Sequence, residues 1–315
     1  MKSSGWIGMM LLPMLCFCML SCDNYAVRAF GFADKDSVSM NAADQAQQEL
    51  KPLLMDRWDS LHRNQLNFTI DSLNPVDIKT QKRMLRDSLR RELNKRPKHV
   101  YLTFDDGPLV GSGALDSIAR KKQIKINAFL VGRHADFGKA RQRDLERFLN
   151  NPLVACYNHS YTHGFNKFAK FYSNAETAYM DFVKNQDKLG IQDKIARLPG
   201  RNIWMYNDYR KIDLQNGAST AQMLFDNGYK IYGWDVEWRI QSVTGNPVQS
   251  LESVYHRMRN MLNNKSTVVP NNIVLLMHDD MFQTKKGARL LSNLIDSLKK
   301  ENYQFEFMTD YPKRY

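Results

Sequence analysis

Five short stretches of this 315-residue sequence gather side chains capable of acid–base and metal chemistry. In the first, Thr103-Phe104-Asp105-Asp106-Gly107-Pro108, two adjacent carboxylates stand at the lip of a sharp turn, although Asp-Gly and Gly-Pro are also ordinary turn dipeptides. The second runs from His159 to His163. Two histidines four apart on a helical turn face one way, so they can converge on one ion or simply hydrogen-bond at a helix start. Cys156, three residues earlier, falls where a small buried thiol is expected rather than a ligand. The third stretch, Arg197-Leu198-Pro199-Gly200-Arg201, turns an arginine toward the same rim as the acids. In the fourth, Asp235 and Glu237 lie between Trp234 and Trp238, which suits either a wall that stacks on sugar faces or the edge of an aromatic core. The fifth, Leu275-Leu276-Met277-His278-Asp279-Asp280, delivers one histidine from an apolar strand into an acidic loop, a layout for a general acid.

These stretches need elements to hold them. Strands are expected at 99–104, 126–131, 153–157, 195–198, 229–234, 273–277 and 303–308, with helical patterns such as 175–189 and 288–300 between most of them. Strand-then-helix order predicts an α/β fold, a distorted (β/α) barrel of about seven strands occupying 97–315. All five stretches fall at the C-terminal ends of expected strands, where barrels carry their catalytic groups.

Upstream, 44–96 reads as a helical N-terminal extension. Leu50, Leu53, Leu54, Trp58 and Leu61 have helical spacing interrupted by Pro52. A second helix over 79–95 sets Met84, Leu85, Leu89 and Leu93 against Arg83, Arg86, Arg90 and Arg91. Its apolar stripe is thin, which suits a solvated helix resting on a larger domain; the basic side could touch lipid headgroups. Residues 23–43 read as a polar tether. In 1–22, Lys2 precedes an apolar run over 6–20, too short for a membrane span, so the segment reads as a signal peptide. Three of the four cysteines lie there, which leaves Cys156 alone and excludes an internal disulfide in the mature domain. The 43% hydrophobic content excludes a wholly disordered chain. The net charge of +12 suits an anionic lipid or polymer. Nucleic acid is not an expected partner.

Taken in order, TFDDGP, HSYTH, RLPGR, WDVEW and LLMHD resemble the five motifs of the NodB-homology polysaccharide deacetylases (carbohydrate esterase family 4), and INAFLVG at 126–132 looks like that family's second strand. The resemblance covers roughly residues 97–311. It implies that Asp106, His159 and His163 hold a divalent metal, zinc being the expected ion, and that Asp105 is the general base. It further implies that Arg197 orients Asp105, that Gly200 donates its N–H to the oxyanion, and that His278 protonates the leaving group. Glu237 or Asp235 would orient His278. Two departures stand out. Gly200 and Arg201 follow Pro199, where the family usually has an aromatic. The fourth motif is shortened. Arg201 is expected at the rim, either reading a substrate carboxylate or pairing with Asp208.

Met19-Leu20-Ser21-Cys22 similarly resembles a bacterial lipoprotein processing site, implying cleavage before Cys22 and lipidation of its thiol. The reading is an exported, lipid-anchored deacetylase of a cell-envelope polysaccharide, peptidoglycan or another amino-sugar polymer. The alternatives are a non-catalytic glycan-binding lipoprotein on the same fold and an O-acetyl esterase.

Overall fold

The computed structural model describes residues 78–241 and 244–314. The expectations for 1–22, for 23–43 and for the helix around 44–64 lie outside them. The strands are β1 (His99–Gly107), β2 (Ile126–Leu130), β3 (Val154–Asn158), β4 (Ile195–Ala196), β5 (Trp204–Tyr206), β6 (Tyr209–Lys211), β7 (Lys230–Ile231), β8 (Val236–Glu237), β9 (Asn272–His278) and β10 (Gln304–Phe305). The helices are α1 (Ile78–Lys95), α2 (Ser112–Lys122), α3 (Gly132–Ala135), α4 (Lys139–Leu149), α5 (Phe168–Phe171), α6 (Ala175–Leu189), α7 (Ala218–Asp226), α8 (Leu251–Asn264) and α9 (Lys285–Lys300). The seven expected strands correspond to β1, β2, β3, β4, β7, β9 and β10. The additional three are the β5–β6 hairpin and the two-residue β8.

Hydrogen-bonded neighbours run β6-β5-β7-β4-β3-β2-β1-β9-β8, with β10 beside the start of β1. Only β5–β6 and β5–β7 are antiparallel. No ladder joins β6 to β8 among the described residues, so the α/β sheet is a half-barrel. Strand alternation divides the core. Val100, Leu102, Phe104, Ile126, Ala128, Ile273, Leu275 and Met277 face outward against the helices. There α9 lays down Leu291, Leu294, Ile295 and Leu298 at three- and four-residue spacing, behind a Thr284 cap that accepts from the Gly287 N–H. The inner face is aromatic: Tyr101, Phe129, Tyr157, Trp204, Tyr206, Tyr232 and Tyr311 pack as one cluster. The Tyr101–Tyr311 and Tyr206–Tyr232 centroids are 4.9 and 5.0 Å apart. This plug fills the concave side below the strand ends and leaves the C-terminal rim for polar groups.

The expected helix at 79–95 forms as α1 and rests on the domain. The Asn271 side-chain amide donates to Leu93 O (2.6 Å) and Arg90 donates to Asn263 O (3.0 Å). No described helix is long and apolar enough to cross a membrane.

One interior residue ties the C-terminal segment to the sheet. The fully buried Asn127 donates to Leu102 O (3.2 Å) and Glu306 O (3.0 Å), while its carbonyl accepts from the Met308 N–H (2.7 Å). Asn127→Leu keeps the volume and orphans three buried backbone groups. At about 1–3 kcal/mol for each buried group left unpaired, with partial relaxation, the expected loss is about 2–5 kcal/mol. Thermal and denaturant unfolding measure it; an unchanged midpoint would show that the tie is not made in solution.

Candidate active site

Parallel register brings the first and fifth stretches together: Asp105 on β1 is the partner of His278 on β9 and of Phe129 on β2. Register partners share a face, so Asp105 and His278 both look into the half-barrel, one strand spacing apart. Arg197, just beyond β4, reaches across the interior to Asp105. Its Nη1 donates to Asp105 Oδ1 (2.8 Å) and Thr103 Oγ1 (2.8 Å), its Nε to Tyr232 O (3.1 Å) and its Nη2 to Gly233 O (2.8 Å). The guanidinium is fully buried, 4.2 Å from the Phe129 ring centre. Its own carbonyl accepts from His159 Nδ1 (2.8 Å).

That bond decides the tautomer, because a carbonyl can only accept. Nδ1 of His159 carries the proton, and Nε2 turns a lone pair toward Asp105 Oδ2 (3.5 Å) and Asp106 Oδ1 (3.6 Å). Burial, with a smaller contribution from His163, pushes the His159 pKa down to about 3, so the ring is neutral at ordinary pH. His163 repeats the pattern. Its Nδ1 donates to Asn166 Oδ1 (2.7 Å), leaving Nε2 3.1 Å from Asp106 Oδ1. Asp106 Oδ1 is itself buried without a hydrogen bond. Asp106 Oδ1 and the Nε2 atoms of the two histidines thus all lie within 4.8 Å of one another. One carboxylate with two imidazoles suits a divalent transition ion. The two imidazoles and the carboxylate therefore fit the expected metal.

The ligands are held by strain, not by a helix. His159 and His163 do not share a helical turn as expected. The chain leaves β3, kinks at Ser160 (φ +65°) and reverses, so that His163 stands at φ +54°; Asp106 is at φ +74°. Side chains fasten the reversal: Asn158 Oδ1 accepts from Ser160 N–H (3.0 Å), Ser160 Oγ from His163 N–H (3.1 Å), and Asp181 from Thr162 N–H (2.9 Å). Non-glycine residues at positive φ cost of order 1 kcal/mol or more and concentrate at functional sites.

His278 lacks its expected partner. Its Nδ1 is buried with no hydrogen bond, so the orienting contact from Glu237 or Asp235 is not formed. The shortened fourth stretch pairs along β9 as β8, with Val236 opposite Leu275 and Glu237 opposite Leu276. Glu237 therefore stops two register positions short of His278. Asp235 accepts from Val268 N–H (3.0 Å) and Val274 N–H (2.9 Å), and burial pushes it up to about 6. The sugar-stacking wall is corrected likewise: Trp238 is fully buried in the outer core and donates to Gln249 O, and Trp234 packs against the interior aromatic cluster.

Arg201 differs from both expectations. It is buried and bonds Asn216 Oδ1 (2.8 Å) and Gly200 O (2.7 Å), with its guanidinium 5.0 Å from the Tyr172 ring centre and 5.6 Å from that of Phe168. It braces the loop through Nε and Nη1. The Tyr172 hydroxyl donates to Pro199 O (2.8 Å) from the outer cluster that also holds Leu198. In a trans peptide the N–H opposes the C=O, so the Gly200 N–H is turned away from the Tyr172 hydroxyl. Gly200 has φ +63°, and a Cβ there would lie 2.6 Å from the Phe168 ring, so glycine is required.

Cys156 lies on the outer face of β3, a half-buried free thiol pushed up to about 12 by burial and outside the metal cluster. Sequence reasoning passed over Asn185. On α6 it accepts from Gly132 N–H (2.7 Å) and donates to Leu130 O and Asn158 Oδ1 (2.8 Å each), locking the loops after β2 and β3. The signal was present: an asparagine in the buried row Ala178, Phe182, Leu189. His134, also unremarked, donates from Nδ1 to Asp106 O (2.6 Å).

Comparison with known proteins supports the class these features define. The polysaccharide deacetylase family model matches residues 92–201. A peptidoglycan-N-acetylglucosamine deacetylase of Bacillus cereus is 27% identical over 220 residues, spanning 67% of this chain and 70% of that protein. The fold is similar to that of a Streptococcus mutans CE4 esterase (TM-score 0.52, 18% identity, covering 70% of this chain and 90% of that one). It is also similar to the catalytic domain of a peptidoglycan N-acetylglucosamine deacetylase from Eubacterium rectale (TM-score 0.50, 19% identity, covering 79% and 97%).

Next to His278, Asp279 is fully buried and bonded by the Ser112 hydroxyl, and burial pushes its pKa up to about 7. The folded state therefore holds a proton that the unfolded chain has released above about pH 4. Its contribution is complete below that pH and lost as pH rises through about 7. Asp279→Asn should remove this slope and gain on the order of 1–3 kcal/mol relative to wild type at pH 8 against pH 5. Melting temperatures across that range test it; parallel wild-type and variant curves would refute it.

Proposed function

We propose that this protein is a metal-dependent deacetylase of a cell-envelope polysaccharide, acting on N-acetyl groups. The observation that carries the proposal is the convergence of Asp106 Oδ1, His159 Nε2 and His163 Nε2 beside an Asp105 already committed to Arg197. When bound by those three side chains, a divalent cation, with zinc the proposed ion, supplies Lewis-acid charge that lowers the pKa of water from 15.7 towards about 7 and polarises an acetyl carbonyl. Asp105 has Oδ1 engaged by Arg197, so Oδ2 is its free acceptor for the proton of an attacking water. The Gly200 N–H donates to the oxyanion that develops on the acetyl carbonyl oxygen. His278, one strand away from Asp105, returns a proton to the departing amine. The proposal extends to location. The apolar run before Ser21-Cys22 supports export and lipid anchoring at Cys22, within reach of an envelope glycan.

The decisive measurement is acetate release from a panel of N- and O-acetylated envelope glycans, with and without a chelator. Release from N-acetyl substrates that stops on chelation and returns with added zinc is the expected result. Tight glycan binding without any release would identify a non-catalytic binding protein, and release from O-acetyl substrates alone an esterase.

Two variants divide the acids. Asp105→Asn should retain the metal and lose at least two orders of magnitude in kcat, because an amide cannot take the proton. Asp106→Ala should lose both metal and activity. Elemental analysis beside kinetics distinguishes them, and equal metal contents would overturn the division of roles.

His163→Ala removes one of three candidate protein ligands and leaves the residue at its positive φ. Occupancy should fall well below one ion per chain, with the unfolding temperature of the metal-free protein unchanged or slightly lowered. Stoichiometric metal in this variant would remove His163 from the site.

A further inference from the structure

The turn α3 holds two large aromatic side chains in solvent at the edge of the site. It is fixed on several sides: Gly132 N–H donates to Asn185, Arg133 N–H to Tyr161 O (3.0 Å), and His134 Nδ1 to Asp106 O. From this frame Arg133 lays its guanidinium over the Phe165 ring, 4.6 Å from the centroid, and His134 packs on Phe137 at 5.1 Å. One face of each phenylalanine is covered and the side chains remain 59% and 56% exposed.

The backbone keeps Phe165 there at a cost. His163, Gly164, Phe165 and Asn166 are four consecutive residues in the left-handed region, with φ between +50° and +59°. Three of them are not glycine, and such residues rarely persist without a use. Strain that turns His163 inward to the metal ligands turns Phe165 outward, onto the surface continuous with the same site. Folding alone would favour burial of this ring, since each exposed aromatic forgoes about 1.5–3 kcal/mol.

Arg133 is exposed and has no ion pair among the described residues. The acid close by in sequence, Asp136, is taken up by Lys188 (3.0 Å) and by the Tyr161 hydroxyl (2.9 Å). The guanidinium is therefore preorganised by its stacking, with its charge unspent and its edge donors open. A planar fork in that state fits a carboxylate, and the open aromatic faces beside it fit the C–H face of a pyranose.

We propose that Arg133, Phe165 and Phe137 form a subsite for a second sugar of the same glycan strand, a sugar that bears a carboxylate. The inference rests on the deacetylase reading for the identity of the strand.

Binding by the full chain, stripped of divalent ions with a chelator so that no turnover intervenes, tests it by titration calorimetry. The probes are a tetrasaccharide alternating N-acetylglucosamine with lactyl-bearing N-acetylmuramic acid, and a neutral N-acetylglucosamine tetramer. The wild type should bind the acidic probe about fivefold to twentyfold more tightly. Arg133→Gln should erase that preference and leave the neutral probe unchanged. Phe165→Ala should weaken both probes severalfold, and because the ring is exposed the variant should melt no lower than wild type. Equal affinities for the two probes in the wild type, a preference that survives Arg133→Gln, or no binding of either probe overturns the subsite. Acetate release assayed on the metal-loaded wild type separates the two readings: an Arg133-dependent preference without release leaves the subsite standing and refutes the deacetylase.

Discussion

The buried pair between Arg197 and Asp105 is the constraint on which the rest of the site depends. Removing a guanidinium from water costs several kcal/mol, and it is tolerated only where its donors are met. Here a carboxylate, a hydroxyl and two carbonyls meet them, drawn from β1 and from the segment at the end of β7. A guanidinium bonded to two segments cannot move without breaking bonds to each, so the strand ends are fixed relative to one another. The same residue's carbonyl sets the tautomer of His159. One side chain thereby decides which oxygen of Asp105 is free and which nitrogen of His159 is bare. Losing one partner of such a pair leaves an uncompensated buried charge, typically worth 3–5 kcal/mol.

Around that pair the protein holds burial and strain in reserve. Asp106 and the two histidines converge, and two of the three stand at positive φ. Burial would raise the Asp106 pKa, yet His163, His278 and His159 together bring it below the usual carboxylate range. Neither cost would survive in an isolated loop. Asn158, Asn185 and Asp181 offset it by closing hydrogen bonds that no apolar side chain could supply. The geometry is ready before any ion arrives, which is what a ligand set needs if binding is not to consume its energy in rearrangement.

Legibility in the sequence followed the physics of each element. Strand ends were readable because apolar runs with a two-residue period stop abruptly at Asp105, His159 and His278, and parallel register then brings those ends together. The β5–β6 hairpin and β8 were not, since two or three residues carry no period. The histidine spacing suggested a helical turn, and the actual path depends on Ser160 and His163 adopting a backbone that their residue types do not advertise. The relay to His278 failed for a related reason. Proximity of WDVEW to a tryptophan motif says nothing about where β8 runs, and its pairing with β9 takes Glu237 to Leu276 and Asp235 to backbone amides.

The two arginines show why residue type at a rim is an incomplete argument. Arg201 sits in the motif that faces the site, yet it is buried, bonded to Gly200 O and Asn216 and stacked near Tyr172, so Nε and Nη1 brace the loop that carries Gly200. Arg133 sits in no motif, on a four-residue turn, and its guanidinium lies over an exposed aromatic face. A cation acts on ligands when its neighbours leave its donors free, and that depends on where adjacent acids are committed. Asp136 faces Lys188, which leaves Arg133 open. In the proposed subsite, recognition therefore falls to residues outside the five motifs, while Arg197 and Asp105 stay where their buried pairing fixes them.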